Sequence, residues 1–216
     1  MNAFRTLIIA TLGFATLPAF ALSENGQAQL QQLQTRWAEI NYRTPEKQRE
    51  AAFAKLVTEA DTALAGEPQA PELLIWRGII LSTQAGAKGG LGALGLVKQA
   101  KASLEQALAI DPQALAGSAY TSLGSLYYQV PGWPIGFGDD EQAEKMLKQA
   151  LAINPDGIDP NYFYGDFLQR HKRYEEARAA LEKALAAKDR PGRELADQGR
   201  RAEATALLQQ VEGKLR

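Results

Sequence analysis

The 216-residue sequence contains no cysteine and a single histidine, His171. Disulfides and thiolate metal ligands are therefore excluded, and one histidine without a second imidazole does not make a metal site. We interpret His171 as a residue of a surface turn. No serine lies in a nucleophile elbow and no base is spaced to activate one. The sequence predicts a non-enzymatic protein with no cofactor and no metal.

The sequence also has no excess of charge of either sign. Its 24 basic and 25 acidic residues give a formal net charge of −1, and long runs of one sign are missing. Nucleic-acid binding needs a basic surface to neutralise phosphates. We therefore expect no nucleic-acid partner.

Long apolar runs are missing except at the N-terminus. There Arg5 precedes an apolar run over residues 6–17, followed by Pro18 and the small-x-small triplet Ala19-Phe20-Ala21. This order is typical of a secretory signal, and we expect cleavage after Ala21 and a periplasmic destination. The run is shorter than the ~20 residues of a membrane-spanning helix, so we expect no stable membrane anchor once the signal is removed.

One glycine-rich stretch, GGLGALG at residues 89–95, matches the phosphate-binding fingerprint of dinucleotide-binding enzymes. That fingerprint requires a buried strand before it and an acidic residue at the end of a second strand about 20 positions later. The sequence provides neither feature. We interpret the stretch as a tight turn between two helices.

A repeated pattern is what the sequence does contain. Each unit has a helical stretch with one glycine, followed by a second stretch of the form Ala-x3-Leu-x2-Ala. Small residues let two helices approach closely, and the leucine fills the seam between them. In chain order the units are Gly78 with Ala100, Leu104 and Ala107; Gly124 with Ala143, Leu147 and Ala150; and Gly165 with Ala177, Leu181 and Ala184.

These units resemble the tetratricopeptide repeat, a helix-turn-helix unit of about 34 residues. The resemblance implies an all-α fold, a TPR-like helix-turn-helix solenoid of three to four repeats with a C-terminal capping helix. Three units fall within residues 70–190. We assign a degenerate helical pair to residues 22–69 and the capping helix to residues 191–216, with Ala204 and Val211 on its apolar face.

Two units carry insertions between their helices, at residues 84–95 and 129–139. The second insertion, within QVPGWPIGFGDDE, places Trp133 and Phe137 among prolines and glycines. Two interpretations remain open: the rings fold back onto the core, or they form an apolar lip for a ligand or partner. We expect the following acidic residues, beginning at Asp139, to cap the next helix rather than to bind calcium.

The concave face of such an array is its usual binding surface. On the first helix of the first unit we expect Ile75, Ile79 and Ser82 to face this groove. In the NPDGIDPNYFYGDF stretch we expect Asp159 to be an N-cap, and Tyr162 or Phe163 to contact Trp133. The candidate ligand- or partner-binding residues are Thr121, Ser125, Tyr128, Trp133, Phe137, Tyr162, Asp166, Gln169 and Arg170.

The resemblance implies a periplasmic scaffold that binds a protein or peptide in this groove. An alternative class comes from the PGWPIGFGDD stretch, which is similar to the T-component family of TRAP transporters, whose helical repeats enclose a ligand pocket. That similarity implies a small apolar ligand and a role in envelope transport. The chain departs from the T-component pattern because it has no cysteine for a lipid anchor.

Overall fold

A computed structural model describes residues 22–216, and the signal assigned to residues 1–21 lies outside this range. Within residues 22–216 the chain forms helices and no strand. None of these helices combines the length and apolar character that crossing a membrane requires. The helices are α1 (Glu24–Arg43), α2 (Glu46–Gly66), α3 (Pro71–Lys88), α4 (Leu94–Ile110), α5 (Ala114–Gln129), α6 (Asp140–Ile153), α7 (Ile158–Arg170), α8 (Tyr174–Ala186) and α9 (Glu194–Leu215).

Three helical hairpins, α3–α4, α5–α6 and α7–α8, share one seam geometry. In the middle hairpin a Cβ atom added to Gly124 would lie 2.7 Å from Leu147 Cγ, and the corresponding distances are 2.6 Å at Gly78 and 2.8 Å at Gly165. The three seam leucines and their flanking alanines are fully buried. The glycines are required because any side chain would occupy the leucine's position, which confirms the predicted TPR-like solenoid.

The terminal helices complete the stack. α1 and α2 pack through Trp37, Phe53 and Leu56 into one core with the start of α3. α9 packs on α8, with Ala204 and Val211 fully buried. The array is therefore four hairpins followed by a single helix.

The two insertions take different forms. In the first, α3 continues to Lys88 and α4 begins at Leu94, so only a short turn separates them, with Gly89 and Gly90 at φ values of 67° and 59°. Gly89 and Gly90 thus provide the positive φ values that this turn requires. The second insertion remains a loop over residues 130–139. It ends at Asp139, whose carboxylate accepts hydrogen bonds from the amides of Glu141 and Gln142, each at 3.0 Å, as predicted for an N-cap.

The beginning of α5 departs from regular helix. Leu115, Ala116 and Gly117 have φ values of 48°, 53° and 75°, in the left-handed region. Regular helix begins only after these residues. The turn redirects the chain between α4 and α5 and brings Leu115 and Ala116 to the concave side of the array, where both line a cavity.

Candidate binding cavity on the concave face

The two ends of the array meet. α9 contacts α1 as well as α7 and α8, and Gly199 of α9 lies directly against the ring of Tyr42 of α1. A Cβ atom added to Gly199 would overlap the atoms of that ring. The close approach therefore depends on glycine, and it encloses the concave face between the first and the last helix.

A partly open cavity of about 720 Å³ lies on the concave face between the two ends of the array. Its walls come from α1, α2, α3, α5, α7 and α9, so both ends of the chain contribute. A second cavity of about 560 Å³ shares Leu115, Thr121 and Asp159 with the first and extends toward the end of α8. The aromatic side chains of the larger cavity are Trp37, Tyr42, Phe53, Trp76 and Phe163.

Asp159 connects α7 to α9 at the cavity wall. It lies in the first turn of α7, which follows Gly157 at the N-cap position, so the predicted N-cap role of Asp159 is wrong. Its carboxylate instead accepts hydrogen bonds from Arg190 Nη1 at 2.7 Å and from Arg200 Nε at 2.8 Å. Burial alone would raise the pKa of Asp159, but the two guanidinium groups outweigh burial and hold the pKa at about 2. Asp159 is thus an ionised link and not a proton acceptor.

The two arginines that bind Asp159 are fully matched with acids. Arg190 also bonds to Asp197, and Arg200 also bonds to Glu203, at 2.5 and 2.6 Å. The Arg200 guanidinium carbon lies 4.5 Å from the ring centroid of Tyr162 and 4.7 Å from that of Phe163. Both rings therefore face α9.

We predicted that Tyr162 or Phe163 contacts Trp133 of the loop. This prediction is wrong, because both rings pack against Arg200 of α9. Trp133 is 90% exposed and lines neither cavity. Phe137 does fold back: its ring lies 5.7 Å from that of Tyr127 in an edge-to-face arrangement, with the Lys101 ammonium 5.8 Å from the Phe137 centroid. The folded-back interpretation therefore applies to Phe137, and the exposed interpretation applies to Trp133.

The candidate residues of α5 separate into two groups. Thr121 and Ser125 line the larger cavity, together with Ile79 and Ser82 of α3. Ile75 was expected beside them, but it is fully buried in the core. The assignment of Ile75 to the groove is therefore wrong. Trp76, the next residue of α3, lines the cavity instead.

Tyr128, Asp166 and Arg170 form a separate polar cluster that lines neither cavity. The Tyr128 hydroxyl donates to Asp166 Oδ2 at 2.8 Å, and Arg170 Nε lies 3.2 Å from both oxygens of the same carboxylate. The Arg170 guanidinium also lies over the Tyr128 ring at 5.2 Å. Gln169 is half-buried on the same helix and lines neither cavity.

His171 follows α7 in a turn and has two acceptors. Its Nδ1 lies 2.7 Å from the carbonyl oxygen of Phe167, and its Nε2 lies 2.9 Å from Asp140 Oδ2. Both partners accept hydrogen bonds, so the doubly protonated ring satisfies both contacts, and they raise the pKa of His171. The residue thus ties the start of α6 to the end of α7.

Arg193 differs from Arg190 and Arg200 in its partners. Its guanidinium carbon lies 4.8 Å from the ring centroid of Trp76. Among residues 22–216 it forms no ion pair, and its Nε atom is buried without a hydrogen-bond partner. Burial and the charge of Arg190 both lower the pKa of Arg193. The buried Nε–H group is therefore an unused hydrogen-bond donor on a half-buried side chain.

The sequence did not predict the cavity residues of α1 and α9, or Trp76 of α3. A signal for α9 was present, because Arg193, Asp197 and Arg200 are spaced by four and three positions and therefore share one helix face. No comparable signal marks Trp37 and Trp76. Their spacing is that of ordinary core residues.

Comparison with known families supports the repeat assignment. Two family models, each described as tetratricopeptide repeat, match residues 91–114 and residues 135–193. The matched segments contain Leu104 of the first predicted unit, Leu147 of the second, and Gly165 with Leu181 of the third. A comparison with curated proteins found no match.

Among solved structures, two similar chains are MamA and a thermophilic TPR protein of Thermus thermophilus. The crystal structure of MamA is 22% identical, with a TM-score of 0.44, over 78% of this chain and 91% of that one. The Thermus protein is 19% identical, with a TM-score of 0.40, over 82% of this chain and 99% of that one.

Proposed function

We propose that this protein is a periplasmic, non-enzymatic scaffold that binds a segment of a partner protein in the cavity between α1 and α9. Tetratricopeptide arrays present an extended concave surface for binding. The observation that carries the proposal is the partly open cavity, whose walls come from both ends of the helical array. The adjoining second cavity extends the same space along the concave face, which suits an extended segment better than a compact one.

The chemistry of the walls supports a peptide occupant. Hydroxyl groups of Ser82, Thr121 and Ser125 line the cavity beside the indole of Trp76. Hydroxyls both donate and accept hydrogen bonds, so they can pair with the N–H and C=O groups of a bound backbone. Aromatic walls supply apolar area for its side chains. This combination binds a polar main chain and an apolar side chain together.

The alternative, a small-ligand component of an envelope transport system, requires an apolar pocket beneath the Trp133 loop. Trp133 is 90% exposed and lines neither described cavity. Phe137, the other ring of the loop, packs edge-to-face against Tyr127 and lines neither described cavity. We therefore do not favour this alternative.

Export is tested by expressing the full 216-residue chain in a bacterium with an outer membrane. We expect the protein in the fraction released by osmotic shock, with an intact mass that corresponds to cleavage after Ala21. Replacement of Ile8 by Arg, within the apolar run, should retain the uncleaved chain in the cytoplasm. An uncleaved wild-type chain in the cytoplasm would refute the periplasmic assignment.

Partner binding is tested by placing a photocrosslinking amino acid at Ser125, in the cavity, or at Lys145, an exposed residue of α6 that lines neither cavity. We expect discrete crosslinked bands from position 125 in intact cells and none from position 145. Identical bands from both positions would argue against a specific groove. The absence of any band from position 125 would argue against a protein partner.

A further inference from the structure

Two hydrogen-bond donors in the cavity wall have no partner among residues 22–216. They are the Nε–H group of Arg193 and the hydroxyl of Tyr42, both buried. The other two buried side-chain atoms without a partner are carboxylate oxygens of Glu59 and Glu72, which do not line this cavity. A buried donor without an acceptor costs free energy, and the cost is greater for a charged group. The two unpaired donors therefore mark a place where an acceptor belongs.

Both donors are held in position by aromatic or backbone contacts. The Arg193 guanidinium stacks on Trp76 at 4.8 Å, and the Tyr42 ring is fixed between Gly199 and Trp37, whose ring lies 5.9 Å away. Burial raises the pKa of Tyr42 to about 12, so its hydroxyl stays protonated and can donate at neutral pH. Both donors line the same cavity, and the contacts of their side chains fix their positions before a ligand binds.

The charges around the cavity favour a single negative charge. Arg190 and Arg200 are already matched with Asp159, Asp197 and Glu203. Arg193 and Arg49 have no ion pair among residues 22–216, and the Arg49 Nε already donates to the Thr44 carbonyl. The acids of the cavity wall disfavour a group with two negative charges. A planar carboxylate with two acceptor oxygens fits a guanidinium and a hydroxyl.

We propose that the cavity binds a carboxylate that accepts hydrogen bonds from Arg193 Nε and the Tyr42 hydroxyl, with an attached apolar body against Trp37 and Trp76. The inference rests on the proposed function, because the same cavity holds the partner segment. Trp37 is oriented by the hydrogen bond from its Nε1 to Thr83 Oγ1 at 2.9 Å, which leaves the rest of the indole for apolar contact. The carboxylate belongs either to a peptide or to a free organic acid. The probes below separate these two sources.

The test is calorimetric titration of the mature protein with matched acids and amides. The small probes are 3-phenylpropionate and 3-phenylpropionamide; the peptide probes are Gly-Ser-Gly-Ser-Phe with a free C-terminal carboxylate and the same peptide amidated. We expect each acid to bind at least about tenfold more tightly than its amide, as the loss of a hydrogen bond to a charged group implies. A peptide source predicts tighter binding of the peptide acid, and an organic-acid source predicts tighter binding of 3-phenylpropionate.

The variants assign the binding to the proposed donors. Arg193→Gln should weaken acid binding about tenfold or more, and Tyr42→Phe about fivefold, with no change for the amides. Arg49→Gln is the matched control: it removes a charge from the same cavity, but Arg49 Nε already donates to the Thr44 carbonyl at 2.8 Å, so we expect less than about a threefold change. Thermal unfolding of each variant checks that the fold is retained. If the glutamine variant does not fold, Arg193→Lys tests the same contact, because lysine keeps the charge without the Nε–H geometry.

Equal binding of acids and amides, equal loss in Arg193→Gln and Arg49→Gln, or no binding of either acid up to about 10 mM would overturn the carboxylate site. If crosslinking from Ser125 persists in that case, the protein-binding function stands without it. If the acids bind through Arg193 but Ser125 yields no crosslinked protein, the carboxylate site stands and the partner-binding function falls.

Discussion

The seams within the repeats and the contact that closes the array use different chemistry. In the seams, a glycine on one helix receives a fully buried leucine from the next, as at Gly124 and Leu147. In the closing contact, arginines, an ionised Asp159 and aromatic rings join α9 to α1 and α7. The seams resist unfolding through apolar burial, whereas the closing contact sets the shape of the cavity. Apolar and ionic contacts respond differently to substitution and to pH, so the comparison can be tested.

The largest expected effect is in a seam. Leu147→Ala removes a side chain that is fully buried between Gly124 and its own helix, and the cavity left behind should lower the free energy of unfolding by about 3 kcal/mol. Urea unfolding at neutral pH measures this change. Leu91→Ala is the control, because Leu91 is 76% exposed and its removal should change stability by less than about 0.5 kcal/mol. Similar losses in both variants would contradict the role assigned to the seam.

Asp159→Asn tests the ionic side of the comparison. The pKa of Asp159 is about 2 in the folded protein against 3.8 for a free carboxyl, so ionisation of Asp159 stabilises the fold by about 2 kcal/mol at neutral pH. This stabilisation is present above about pH 4 and is lost as the pH falls toward about 2, because the folded carboxylate must then be protonated. The variant should therefore be less stable than wild type at neutral pH, by about that amount.

The measurement is urea unfolding of wild type and Asp159→Asn at several values of pH between about 7 and about 3. The difference between them should shrink over the acidic part of this range. Asp156→Asn provides the comparison, since Asp156 is exposed in the preceding turn and should behave as wild type throughout. A difference that is independent of pH would mean that Asp159 acts through its shape and not through its charge.

Gly199→Ala tests the closing contact without changing any charge. The added methyl group overlaps the Tyr42 ring, and overpacking at this point should cost about 1 to 2 kcal/mol. Gly213 lies on the same helix with no atom within 4 Å of an added Cβ, so Gly213→Ala should stabilise by up to about 1 kcal/mol through helix propensity. Thermal unfolding of the two variants gives the comparison. Stabilisation in both would show that α9 does not depend on contact with α1.

Local spacing explains which features the sequence predicts. Gly78 and Leu104 belong to one repeat unit, and the pattern that joins them recurs, so the hairpins and their seams can be identified without a structure. Thr121 and Ser125 also fall on the concave face because the same repeat fixes the rotation of α5. A pattern that recurs in each unit is therefore sufficient to predict the repeat hairpins and their seams.

The closing contact depends on residues far apart in the chain. Asp159 precedes Pro160 in a motif typical of a helix N-cap, yet its partner Arg200 lies 41 positions later. Tyr42 and Gly199 come from opposite ends of the array. These pairs do not follow the spacing of the repeats, because each pair occurs once in the array. Most of the cavity chemistry, including the unpaired Arg193, follows from a tertiary contact that sequence spacing does not encode.

The smallest expected effect concerns the left-handed turn at the start of α5, where a repeat helix meets the cavity. Ala116 is exposed and has a φ of 53°, a conformation that costs an L-residue roughly 1 kcal/mol and glycine very little. Ala116→Gly should therefore raise the free energy of unfolding by about 0.5 kcal/mol, after the added freedom of the unfolded chain is subtracted. Ala202→Gly, at an exposed position in regular helix on α9, should instead lower it by up to about 1 kcal/mol. Urea unfolding resolves the opposite signs, and a loss in both variants would mean that residue 116 adopts a right-handed conformation in solution. A gain at residue 116 would instead show that the left-handed turn, which lines both cavities, costs the array stability.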